Sequence, residues 1–325
     1  MVVLSQPVLD NFAHFETCKP TGEINIIPAV DLSDYSNAKK LILEACKEFG
    51  FFKVTNHGVS MEFLDRLESE VVEFFKLPQQ EKEKSGPPSP FGYGNKKIGP
   101  NGDVGWVEYL LLSTDSKSIC PGISDTLWCL VNEYVCAVRK MVCEVLEMIA
   151  EELKIGSNNK DVLSKLIKNE KSDSCFRVNH YPPCPDNNHH QILQPLLMNG
   201  QDLIGFGEHT DPQIISVVKS NNTSGLQICL KDGTWVAVPP DPTSFFFIVG
   251  DSLQVMTNGR FRSVKHRVLA GDSVKSRVSM IYFGGPPLSE KITPLPSILE
   301  EGEVSLYKEF TWSEYKNAAG GDKVG

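Results

Sequence analysis

Near Ser174 the chain changes texture, from helical periodicity to a series of short strands. Cys175–Tyr181, Gln213–Lys219, Leu226–Leu230, Trp235–Val238, Phe245–Val249, Ser263–Ala270 and Arg277–Phe283 are apolar or alternating runs separated by turn clusters. Two of those clusters, Asp232-Gly233 and Asn258-Gly259, supply residues that tolerate positive φ in tight turns. Short strands at this spacing predict a sandwich, barrel or jelly roll. Helices come first and strands after, with no internal repeat, which argues against a doubly wound α/β fold. The expected class is α+β with a mainly β core.

Upstream of Ser174 the periodicity is helical. A strand-like Ile26–Val30 leads into a helix from about Ser36 to Phe49, stopped by Gly50, and Phe51–Thr55 reads as a strand. Ser60 caps a second helix in which Phe63, Leu64, Leu67, Val71, Phe74 and Phe75 recur at helical spacing. A long helix is expected from about Ser124 to Lys154. Between these helices, residues 85–105 form a Pro/Gly-rich stretch whose length and aromatics, Phe91 and Tyr93, read as a functional loop. Asp251 followed by Gln254 has the spacing of a capped helical turn.

Composition narrows the classes. Thirty-two basic against 41 acidic side chains give a net charge of -9, and with no long basic run nucleic acid is not the expected partner. No apolar stretch reaches the roughly 18 residues that a membrane helix needs, so no membrane partner is expected. The first ten residues lack the basic flank of a signal peptide. The nine cysteines form no C-x-x-C pair and suit a reducing, cytoplasmic setting rather than a disulfide framework. Cys129, Cys136 and Cys143 recur every seven residues and are expected to be small core-facing positions.

Chemistry concentrates in the strand-rich half. In Glu208-His209-Thr210-Asp211-Pro212, an extended segment would send His209 and Asp211 from one face, close enough to bind one metal. In Ser263–Ala270, Val264, His266 and Val268 share a face, so His266 points where the apolar residues point. A histidine there is either a core residue bonded to a carbonyl or a ligand. Two histidines and one carboxylate on one face of a metal leave adjacent positions open, the arrangement of non-haem iron(II) oxygenases. Eleven residues past His266 stands Arg277, two before Ser279 on another strand. An inward arginine is costly unless it meets an anion. That anion is either an internal carboxylate or, beside a metal triad, the carboxylate of a small co-substrate held bidentately. No H-E-x-x-H, G-x-S-x-G or P-loop motif occurs, and Gly205-Phe206-Gly207 is too isolated to mark a nucleotide loop.

Asn179–Cys184 (NHYPPC), the HTD at 209–211, His266, the RVS at 277–279 and the early FGFFKVTNHG (Phe49–Gly58) together resemble the plant iron(II)/2-oxoglutarate-dependent dioxygenases over almost the whole chain. Within them, residues 102–112, 205–214 and 249–269 look like the gibberellin 2-oxidases that act on C19 gibberellins. The resemblance implies iron on His209, Asp211 and His266. It places the far carboxylate of 2-oxoglutarate on Arg277 and Ser279, with a hydroxyl from Tyr181 and support from Asn179. It implies O2 as co-substrate, ascorbate as reductant, and succinate and CO2 as by-products of hydroxylation. The implied fold is a double-stranded β-helix: residues 1–170 a helical N-terminal region packed on the core, 171–290 the jelly roll, and 291–325 a C-terminal helical segment closing the substrate mouth.

A gibberellin, an apolar polycycle with a carboxylate, needs apolar walls and at least one cation or strong donor. Phe91, Tyr93, Trp106 and Tyr109 are the candidate walls. Lys96 or Lys97, Arg177, and Lys308 with Tyr315 are candidates for the carboxylate, Lys308 foremost. The alternatives are a gibberellin 3- or 20-oxidase, a flavonoid hydroxylase, or a non-catalytic hormone-binding jelly roll. A spare inward arginine argues against the last.

Overall fold

A computed structural model describes residues 27–87, 89–96, 107–115, 120–155, 160–183, 203–270 and 275–320. Ten strands carry the architecture as far as residue 249: β1 (Ala29–Asp31), β2 (Phe51–Thr55), β3 (Gly92–Lys96), β4 (Val107–Ser113), β5 (Cys175–Tyr181), β6 (Leu203–His209), β7 (Ile215–Ser220), β8 (Leu226–Cys229), β9 (Trp235–Ala237) and β10 (Phe245–Val249). Four more follow among the described residues: β11 (His266–Ala270), β12 (Arg277–Gly284), β13 (Lys291–Ile292) and β14 (Phe310–Thr311). The helices are α1 (Tyr35–Glu48), α2 (Met61–Lys76), α3 (Gln79–Glu83), α4 (Asp125–Glu152), α5 (Ser164–Lys168), α6 (Asp251–Met256) and α7 (Trp312–Gly320). None is long and apolar enough to cross a membrane.

Eight strands form the large sheet in the order β1-β2-β10-β7-β12-β5-β4-β3, and β6-β11-β8-β9 form a smaller one. All neighbours are antiparallel except β1 and β2. This is the jelly roll expected from the spacing of the short strands. The N-terminal half contributes four of the large sheet's strands, β1 to β4, so the helical region and the β core share one sheet.

Period-2 alternation splits the large sheet into two faces. Phe245, Phe247 and Val249 of β10, Phe176 and Val178 of β5, and Val278, Met280 and Tyr282 of β12 pack with the helices. Phe246, Ile248, Val218 and Ile281 point the other way, onto Leu226, Ile228 and Val268 of the small sheet. The helices are held by local chemistry as well as by their buried stripes. Asp34, Ser60 and Ser124 accept hydrogen bonds from Asn37, Phe63 and Leu127 at the starts of α1, α2 and α4. Each large aliphatic that α4 buries contributes about 1.5–3 kcal/mol.

Three expectations are corrected. The Pro/Gly-rich stretch is not all loop: Gly92–Lys96 is a strand that pairs with Val107–Ser113 as a hairpin on the sheet edge. Of the cysteine stripe only Cys143 is buried, while Cys129 and Cys136 are exposed. An ideal helix drifts about 20° per heptad, and α5 meets α4 at Arg139 and Glu147, on either side of Cys143, so the stripe begins in solvent and ends under cover. Asp251 does not cap α6; Gly250 does, without a side-chain bond.

Candidate active site

Between the two sheets lies a cavity lined by side chains of both. His209 and His266 face it from neighbouring strands, paired directly across β6 and β11, with ring centroids 4.2 Å apart. Strand β6 ends at His209, so Asp211 is not a strand neighbour on the same face, as an extended segment would make it. It sits in the following turn, where its carbonyl accepts from the Asp251 amide at 2.8 Å. Gly250 permits that turn: a Cβ there would stand 1.9 Å from the Gln213 carbonyl oxygen.

The three side chains converge without bonding one another. Asp211 Oδ1 lies 3.6 Å from His209 Nε2 and 3.7 Å from His266 Nε2, too far for hydrogen bonds. Each imidazole is committed at its other nitrogen, His209 Nδ1 donating to the Gly207 carbonyl at 2.8 Å and His266 Nδ1 to that of Val264 at 3.2 Å. That fixes the tautomer with both Nε2 lone pairs toward Asp211. Burial, and then the facing His266, lower the His209 pKa and keep its ring neutral. Among the described residues this is the one cluster of three with metal-ligand geometry.

A second polar group lines the opposite wall. Arg277, Ser279 and Ile281 of β12 pair with Tyr181, Asn179 and Arg177 of β5. Arg277 is 5% exposed, its guanidinium carbon lies 5.3 Å from the Tyr181 ring centre, and its Nε and Nη1 have no hydrogen-bond partner. Burial lowers its pKa. Among the described residues no ion pair joins it to a carboxylate. Asn179 Nδ2 donates to the Tyr181 hydroxyl at 3.1 Å. The Tyr181 ring needs Gly205, where a Cβ would approach it to 2.7 Å.

The chain matches the model of the 2OG-Fe(II) oxygenase superfamily over residues 172–286, and that of the non-haem dioxygenase in morphine synthesis N-terminal region over 27–125. It is 60% identical to gibberellin 2-beta-dioxygenase of Phaseolus coccineus, covering 98% of this chain and 94% of that one. The chain belongs to the 2OG-Fe(II) oxygenase superfamily. Gibberellin 2-beta-dioxygenase 2 of Arabidopsis thaliana is 55% identical over 100% of this chain and 94% of its own length. The solved structure of JOX2 in complex with 2OG, Fe and JA is 28% identical with a TM-score of 0.74, over 89% of this chain and 83% of that one. The dioxygenase for auxin oxidation in rice matches in fold, with a TM-score of 0.72 at 23% identity over 91% and 96%.

The superfamily uses iron(II) and 2-oxoglutarate, and the residues present fit both. Three unpaired ligand atoms, two imidazole and one carboxylate, converge as an iron(II) facial site requires. The buried guanidinium with open donors suits a dicarboxylate's far end.

The substrate candidates are scattered. Tyr93 is buried on the helix side of the large sheet, its hydroxyl donating to Glu108, and is not among the cavity's walls. Phe91 and Lys308 are exposed and also lie off the cavity. Tyr109 stacks under Arg177, whose guanidinium carbon is 3.9 Å from its ring centre, and Arg177 lines the cavity. Tyr315 donates to Asp251 at 3.0 Å, and Asp251 also accepts from Thr210 at 3.1 Å, tying α7 to the turn between His209 and Asp211. Trp106 and Lys97 lie outside the described residues. Sequence reasoning misses Gly205-Phe206-Gly207: one glycine seats Tyr181, Phe206 packs on His209 at 4.7 Å, and the Gly207 carbonyl orients that histidine. The signal for it is a pair of glycines flanking an aromatic just before the HTD.

Proposed function

We propose that this protein hydroxylates C19 gibberellins at C2 on the β face, inactivating the hormone, with release of succinate and CO2. The observation that carries the reading is the pairing, in one cavity, of the converging His209, Asp211 and His266 with the unpartnered fork of Arg277. Identity of 53–60% to gibberellin 2-beta-dioxygenases supports the substrate.

In this reading His209, Asp211 and His266 hold iron(II), and Arg277 with Ser279 binds the far carboxylate of 2-oxoglutarate. The Tyr181 hydroxyl completes that grip, and Asn179 orients it. When bound, iron(II) with 2-oxoglutarate supplies the activation of O2, which delivers one oxygen atom to a C–H bond and the other to succinate. The chain's own work is placement. The carbonyls of Gly207 and Val264 hold both imidazoles aimed, with Nε2 toward Asp211. Val218, Leu226, Ile248, Val268 and Ile281 line the space as apolar walls that exclude water. The C-terminal segment reaches the site through Tyr315 and Asp251, consistent with closure of the mouth. The free state of the described cysteines supports a cytosolic setting.

The test is mass spectrometry of products after incubation with iron(II), ascorbate, 2-oxoglutarate and a panel of C19 and C20 gibberellins. The expected product is a 2β-hydroxylated C19 gibberellin formed with equimolar succinate. Succinate without any gibberellin product would discard the hormone; no succinate from folded, iron-loaded protein would discard the chemistry.

A further inference from the structure

Arg177 is the second guanidinium in the cavity wall, and the binding of iron and 2-oxoglutarate leaves it without a task. It projects from the cavity face of β5, with Asn179 and Tyr181. Its Nε donates to Asn179 Oδ1 at 2.7 Å, a neutral acceptor. Its guanidinium carbon lies 3.9 Å from the ring centre of Tyr109 and 5.2 Å from that of Phe206. These contacts lock the fork, and they leave Nη2 buried without a partner.

Two arginines outside the cavity meet charged or main-chain acceptors. Arg260 meets Glu303 through two bonds, and Arg262 Nη2 donates to the carbonyls of Cys229 and Leu230, although its Nη1 is buried without a partner. Arg177 has no such answer: among the described residues the only acidic one lining its cavity is Asp211, which faces the two histidines. A desolvated, preoriented guanidinium with an open donor is built for an incoming anion.

In the hydroxylase reading the far carboxylate of the co-substrate is already held by Arg277, so the anion at Arg177 is a different one. Arg277 stands opposite Tyr181 in the register, and Arg177 is four residues back along β5, about 13 Å between Cα positions. The carbon chain of a five-carbon dicarboxylate spans no more than about 6 Å. Asn179 stands between the two positions, bonded to both Arg177 and Tyr181. We infer that Arg177 is the specificity-determining residue that binds a carboxylate of the substrate, held between Tyr109 and Phe206 so that only an apolar acid is seated. This rests on the hydroxylase reading and names the group by which its substrate is recognised.

The test compares binding of a gibberellin and of its methyl ester to anaerobic enzyme loaded with iron(II) and 2-oxoglutarate, by calorimetry. Wild type is expected to prefer the acid by about 10- to 100-fold, the scale of a hydrogen bond to a charged group. Arg177→Met keeps bulk against Tyr109 and is expected to lose that preference, with the KM for 2-oxoglutarate unchanged. Arg177→Lys, which retains charge without the fork, is expected to fall between and serves if the Met variant does not fold. A wild type indifferent to esterification, a variant that keeps the preference, or one whose 2-oxoglutarate KM rises while gibberellin affinity holds would each overturn the assignment. A wild type that binds no gibberellin in either form sinks the hydroxylase reading instead. The carboxylate assignment is then decided by the same comparison with other apolar monocarboxylic acids and their esters.

Discussion

On the helix side of β5, His180 donates to Glu108 at 2.7 Å, and Glu108 also receives Lys82 and the Tyr93 hydroxyl, each at 2.5 Å. Lys82 donates further to the Phe75 carbonyl, and His180 stacks on the Phe75 ring. On the cavity side of the same strand, Arg177 and, across the register, Arg277 keep buried donors open. Both clusters put charge out of water, at similar cost. One meets that cost from within the chain and the other does not. A closed buried network holds a fold together, whereas an open one waits for a ligand.

The largest expected effect falls on the open side. His209→Ala or Asp211→Ala should abolish turnover while leaving the circular dichroism spectrum native; near-normal succinate formation by either would remove the triad from the account.

The closed side should answer in stability. Glu108→Ala strands Lys82 as an unpaired buried charge and should lower unfolding free energy by about 3–5 kcal/mol in denaturant titrations. Its pH dependence follows from the same contacts. Burial raises the Glu108 pKa, the bonds from His180, Lys82 and Tyr93 lower it, and the lowering prevails. The stabilisation is therefore fully present above the ordinary glutamate value of about 4.3 and is lost as pH falls through the folded value. Glu108→Gln should flatten the acid limb of the stability profile; an unchanged limb would show the network to be incidental.

Arg277 should behave in the opposite sense. Arg277→Met should weaken 2-oxoglutarate by about 2–5 kcal/mol, at least about 30-fold in KM, yet leave the ligand-free protein as stable or more so. A loss of ligand-free stability would class Arg277 with the closed network.

The smallest effect is expected at Tyr315. Tyr315→Phe removes one hydrogen bond to Asp251, worth about 1 kcal/mol, and should weaken iron binding a few-fold without changing the fold. Unaltered iron affinity would disconnect α7 from the site.

The same contrast explains what is legible in sequence. Strand β10 comes from a continuous apolar run, and strand β5 and the inward aim of His266 from period-2 alternation; both need only neighbours along the chain. Arg277 announces itself because an inward cation on an apolar strand demands an anion. Glu108 and Tyr93 do not, because their partners are 26 and 15 residues away and meet only when β3, β4 and α3 pack. Strand β6 is hidden by its two glycines, which weaken strand propensity; one of them, Gly205, makes room for Tyr181. Lys308, foremost among the carboxylate candidates because a C-terminal segment is expected over the mouth, is exposed, whereas Arg177, named beside it, lines the cavity.

The most direct measurement is thermal unfolding with and without iron(II) and 2-oxoglutarate under anaerobic conditions, for wild type, Arg277→Met and Glu108→Gln. A ligand that binds only the folded state raises its melting temperature to an extent set by its affinity. The predicted result is a ligand-induced rise in wild type, the same rise from a lower starting point in Glu108→Gln, and little rise in Arg277→Met. An Arg277→Met protein stabilised by 2-oxoglutarate as much as wild type would contradict the claim that the open face of β5 and β12 is the ligand site.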